Sequence, residues 1–79
     1  MAEKRNKSDA FGTVLRIYRQ ERNLMQEQLS ERVDVVRSFI CTLESGKKQP
    51  SLDMVFRLAA ALGVKPGELV DAVAARLAK

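Results

Sequence analysis

Four side chains set the chemistry open to this sequence: Arg37, Ser38, Cys41 and Thr42, within the run RSFICTLES. Read as a helix, the run places Ile40 and Leu43 on one face and those four on the remaining sides. The free face carries hydrogen-bond donors and no large apolar patch. A guanidinium beside small hydroxyls suits the gripping of paired acceptors, whereas catalysis needs other parts. The chain has no histidine and no clustered carboxylates, so no nucleophile is paired with a base and no enzyme is indicated. One cysteine forms no internal disulfide and, without histidine, excludes most zinc sites, so no metal or cofactor is expected. A redox switch at Cys41 lacks a resolving thiol, and the residue reads as a small side chain. Gly46-Lys47 lacks the earlier glycine and the following Ser or Thr of a nucleotide phosphate loop.

The elements that must position these residues follow from spacing. Met25, Leu29 and Val33 recur every four residues and mark one face of a helix over about 26–33, with Asp34 suited to a sharp left-handed reversal before the next. Upstream, Ser8 or Asp9 can cap a first helix whose buried face is Phe11, Val14, Leu15 and Tyr18, and Asn23 can end it. Downstream, SGKKQP forms a loop in which Gly46 closes the preceding helix. Ser51 caps a fourth helix with an inner stripe of Leu52, Val55, Leu58, Ala59 and Leu62, ended by Gly63. Pro66 opens a fifth helix, with Glu68 in its first turn. Its apolar band, Leu69, Val70, Val73, Ala74 and Leu77, is wider than one small core absorbs.

Seventy-nine residues make one domain near the size at which a single core is only marginally sufficient. An apolar fraction of 46%, dominated by Leu, Val and Ala with four aromatics, favours an all-helical fold. The net charge of +4 fits a nucleic-acid partner and fits equally a solvated surface with a small excess of Lys. No run of about 18 apolar residues marks a membrane span. The polar start MAEKRNKSD does not resemble a secretion signal, and one cysteine accords with the reducing cytoplasm.

The series Gln26, Leu29, Val35, Ile40, Glu44 and Gly46, followed by Pro50-Ser51, Leu58-Ala59, Leu62 and Val64, resembles the Cro and phage-repressor (xenobiotic-response-element) class of helix-turn-helix proteins. The resemblance covers Phe11 to Leu69. It implies a compact five-helix, lambda-repressor-like DNA-binding domain, with the helix-turn-helix at helices 2 and 3, acting as a transcriptional regulator on double-stranded DNA. With helix 3 in the major groove, Arg37 is the leading base reader because a guanidinium matches the two acceptors of guanine. Ser38 and Thr42 bond several bases, and Phe39 borders the buried face and can touch a thymine methyl. Gln26, Ser45, Lys47 and Lys48 are the expected phosphate contacts. The resemblance also implies an ion pair between Arg19 and Glu44, which makes Glu44 structural.

Three positions depart from the family pattern: Met25 where a Ser or Thr cap is usual, Asp34 for the common turn Gly, and Val36 for the usual Ser cap. A missing cap costs about 1 kcal/mol, so both helix starts are expected to be less well fixed unless Asp34 caps helix 3 from two residues earlier. Among relatives, the short length and the Arg-Ser-Phe-Ile run resemble restriction-modification controller proteins; phage-type repressors and antitoxins look similar. The chain as a whole divides into an arm and a domain. Residues 1–8 read as a basic arm in which Lys4, Arg5 and Lys7 suit a DNA backbone, although an untethered terminus without a role is the favoured reading. Residues 9–79 form the domain, and Phe56, Val70, Val73, Ala74 and Leu77 are expected at a homodimer interface, the other reading being that they finish the monomer core. A module that keeps the fold and binds a protein partner is the alternative function.

Overall fold

In the computed structural model, which describes residues 6–78, the chain folds into α1 (Lys7–Glu21), α2 (Gln26–Arg32), α3 (Arg37–Glu44), α4 (Leu52–Leu62) and α5 (Pro66–Leu77). The all-α, five-helix architecture is the expected one. Lys4 and Arg5, named for the basic arm, lie outside the described residues.

Helix ends follow from the chain's own caps in most places. Ser51 Oγ accepts the Met54 amide at 3.0 Å and starts α4. Asn23 and Asp34 hold positive φ of 56° and 59°, the left-handed geometry that lets a short polar side chain reverse the chain. Gly63, with φ 74°, ends α4, and Pro66 occupies the first turn of α5. One start was misread. Asn6, not Ser8 or Asp9, caps α1, its Oδ1 accepting the Asp9 amide at 2.8 Å. Asn is as good a cap as Ser or Asp, and no breaker separates it from the helix, so Lys7 and Ser8 are helical rather than part of an arm.

The core is one cluster drawn from every helix: Phe11, Val14 and Leu15 of α1, Leu29 of α2, Ile40 and Leu43 of α3, Val55, Leu58, Ala59 and Leu62 of α4, and Leu69 of α5. Two residues assigned inward face water. Leu52 is 72% exposed; as first residue of α4 it stands outside the cluster, and the longer, flexible Met54 is buried instead. Met25, 67% exposed, precedes α2 rather than sharing the face of Leu29 and Val33. Of α5 only Leu69 is fully buried; Val73 packs partly on the core. Tyr18 joins α1 to α5 by donating to Glu68 Oε2 at 3.2 Å. Its partial burial, and then the neighbouring Glu68 carboxylate, raise the phenol above its ordinary pKa.

Arginines tie the helix ends together. Arg22 donates to the Leu62 and Tyr18 carbonyls, Arg32 to the Ala61 carbonyl and Arg57 to the Val33 carbonyl. The last of these clamps α4 onto the turn between α2 and α3.

Candidate nucleic-acid interface

The α2–turn–α3 unit is held to α1 by a buried ion pair. Arg19 Nε donates to Glu44 Oε2 at 2.6 Å and Arg19 Nη2 to Glu44 Oε1 at 3.0 Å. Arg19 Nη1 also donates to the Leu24 carbonyl at 2.8 Å, so the guanidinium fixes both the end of α3 and the chain entering α2. The two side chains are 10% and 3% exposed. Planar two-point geometry in a site closed to water is the setting in which such a pair is fully hydrogen-bonded.

Gln26 extends this pair outward. Its Nε2 donates to Glu44 Oε1 at 3.1 Å, and its Oε1 accepts from Arg37 Nη1 at 3.1 Å. Glu44 can only accept and Arg37 can only donate, so their opposite demands fix the orientation of the Gln26 amide. The Gln26 amide, expected to bond both a phosphate and helix 3, makes the second of these contacts, and its Nε2 keeps one further hydrogen to donate. A relay Arg19–Glu44–Gln26–Arg37 thus runs from the core to the surface.

Around this relay α3 presents Arg37, Ser38 and Cys41 exposed and Thr42 half-buried. The Thr42 hydroxyl donates to the Ser38 carbonyl at 2.8 Å, and the Ser45 hydroxyl to the Thr42 carbonyl at 2.9 Å. Both hydroxyl protons therefore point back along the helix, leaving the oxygen lone pairs free to accept. Phe39 packs partly on the core, with Lys48 Nζ 5.9 Å from its ring centroid. Lys47 and Lys48 are exposed on the loop after α3.

Cap expectations divide. Met25 has no side-chain acceptor for α2, but Gln28 Oε1 accepts the Met25 amide at 2.8 Å, half of the reciprocal arrangement found at capped starts. Val36 leaves α3 without a side-chain cap, and among the described residues no hydrogen bond joins Asp34 to an α3 amide. Asp34 serves through its backbone alone. Gln28 and the Arg57 clamp were not foreseen; for Gln28 the signal was a Gln three residues after a start position.

Residues 10–73 match the model of a helix-turn-helix domain family. The chain belongs to the helix-turn-helix family. An uncharacterised HTH-type transcriptional regulator of Methanothermobacter thermautotrophicus is 49% identical over 51 residues, 65% of this chain and 74% of that protein. Control protein C.BamHI of Bacillus amyloliquefaciens is 37% identical over 62 residues, 77% of this chain and 76% of that protein. Among solved structures, the restriction-modification controller protein C.AhdI from Aeromonas hydrophila aligns with TM-score 0.75 at 36% identity, over 77% of this chain and 92% of that one. The clp gene regulator ClgR from C. glutamicum reaches TM-score 0.91 over 98% of this chain and 99% of its own, at 23% identity. That last likeness speaks for the fold alone. The helix-turn-helix chain thus has transcriptional regulators, including restriction-modification controllers, as its relatives. No helix among its described residues is long and apolar enough to cross a membrane.

Proposed function

We propose that this helix-turn-helix protein is a sequence-specific regulator of transcription that binds double-stranded DNA as a homodimer on a near-palindromic operator. The observation that carries the reading is the exposed polar face of α3, whose Arg37 is anchored through Gln26 to a buried ion pair. A reader held in this way loses little side-chain freedom on binding. Arg37 reads a guanine, Ser38 and Thr42 its neighbours, and Lys47 and Lys48 neutralise the flanking phosphates. With its hydroxyl proton held by Ser38, Thr42 offers an acceptor to a base amino group or its methyl to thymine. Controllers of restriction-modification systems are the relatives that suggest the biological setting.

The dimer is supported by Phe56 and Val70, 54% and 52% exposed. Val70 also lines a groove of about 150 Å³, together with Phe11, Pro50 and Val73 among others. The same surface is what a protein-binding module would use, and salt separates the two readings. Contacts with several phosphates weaken steeply between about 50 and 200 mM salt, whereas an apolar protein contact does not.

Selection from a random duplex pool at about 150 mM salt tests the proposal. Wild type should enrich a near-palindrome with half-site centres about 10 base pairs apart. Arg37→Ala should lose preference at one guanine in each half-site, worth about 1–3 kcal/mol per contact. No enrichment by folded protein would reject sequence-specific reading.

A further inference from the structure

We infer that Gly12 is a positioning residue for DNA reading: the missing side chain lets α1 rest directly on the backbone at the end of α3 and so sets how α3 is presented. The inference rests on the function proposed above. A Cβ placed on Gly12 would lie 2.5 Å from the Glu44 carbonyl oxygen, 2.6 Å from that of Leu43 and 2.9 Å from the Glu44 carbonyl carbon. Those are backbone atoms, which cannot swing away as the tip of a side chain can. Gly12 is itself helical and buried, with no positive φ to require glycine. Inside a helix glycine is less favourable than alanine, so local propensity argues against it and only the tertiary contact argues for it.

The contact is one of several along a single α1 face. Seven residues on, two helical turns, Arg19 grips Glu44 at two points. One turn back, Asp9 packs against Gly46, where a Cβ would stand 3.1 Å from the Asp9 Cα. The end of α3 is therefore seated on α1 by backbone contact at Gly12 and held against rotation by the ion pair. α3 has eight residues, so Arg37 lies about 10 Å from this seat at the opposite end of a rigid rod. A methyl group at position 12 must lift or tilt the seat, and the rod carries the tilt to the reader. Lys47 and Lys48 lie on a loop beyond the seat and act as point charges, which tolerate small displacements better than a two-point base contact does.

The experiment compares wild type with Gly12→Ala by circular dichroism and by titration with the selected operator and with a duplex of unrelated sequence at the same salt. Folded Gly12→Ala should keep its affinity for the unrelated duplex within about twofold. Its ratio of operator to unrelated affinity should fall by about tenfold or more, the worth of one misplaced two-point base contact. An unchanged ratio in folded Gly12→Ala overturns the inference, because α3 has then absorbed the methyl group without shifting its reader. A parallel loss on both duplexes overturns it too, since that is a fold defect. Where Gly12→Ala does not fold in buffer, the titrations are run in trimethylamine N-oxide, which favours compact states. Failure to fold there makes Gly12 a requirement of folding only and removes the positioning role. Wild type that does not discriminate between the duplexes removes the proposed function first, and this inference with it.

Discussion

Around α3 the charged side chains nearest the core are paired and enclosed, while along α4 and α5 apolar side chains of similar size stand in solvent. Arg19 and Glu44 are both buried, yet no buried side-chain polar atom among the described residues lacks a partner. On the other side Leu52, Phe56 and Val70 are more than half exposed. Both regions meet the limit of a domain too small to bury everything by leaving apolar side chains in water, Met25 and Val36 at the starts of α2 and α3 included, but only the α3 region also buries charge. Near α3 the few buried polar groups are completed internally, giving a rigid surface that needs no partner to exist. Near α4 and α5 the apolar surplus is the surface on which the proposed dimer would form.

That contrast can be broken first at the ion pair. Arg19→Ala leaves Glu44 buried and unpaired, a loss of about 3–5 kcal/mol. In a domain of this size it corresponds to a fall in melting temperature of roughly 10 °C or more. A melting curve close to wild type would show that the pair does not hold the α3 region together. Phe56→Asp addresses the other region. Because Phe56 is 54% exposed, the monomer should melt nearly unchanged, while sedimentation equilibrium should show self-association weakened by about tenfold or more, the effect of losing a central aromatic anchor. A wild-type protein that is monomeric at micromolar concentration would refute the dimer outright.

The smallest expected effect concerns the seam between the two regions, where Tyr18 donates to Glu68. The Tyr18 pKa is raised in the folded state, so folding favours the protonated phenol. The contribution is fully present below the unfolded phenol value of about 10 and fades as pH rises through the folded value. Tyr18→Phe should remove that part of the alkaline slope in a series of melts and leave the neutral-pH fold intact. An unaltered slope would mean that the seam contributes nothing measurable.

Most of the architecture was legible because it rests on signals that act within a turn or two. Ser51 and Pro66 mark starts wherever they fall, and Asn23, Asp34 and Gly63 mark reversals, because each acts through its own backbone or its nearest amides. The pair of Arg19 with Glu44 spans 25 residues and came only through family resemblance. No local pattern announces it. The misreadings share a cause as well. Leu52 and Met25 have the right period for burial, but each sits at or before the first position of its helix. The cap of α1 moved back to Asn6 because several good capping residues follow one another and the sequence does not rank them.

The sequence by itself determined five helices, their order and most of their ends, and it placed Arg37, Ser38 and Thr42 on a face that Ile40 and Leu43 do not use. Periodicity and capping depend on neighbours along the chain, and those are written in the sequence. Only the tertiary structure decided which groups of α3 the Gln26 side chain meets, Glu44 and Arg37, that the Ser45 hydroxyl bonds the Thr42 carbonyl, and that Gly12 meets the carbonyls ending α3. Each of these depends on how closely separate helices approach and which polar atoms then compete for one partner, and no spacing along a single helix records that distance.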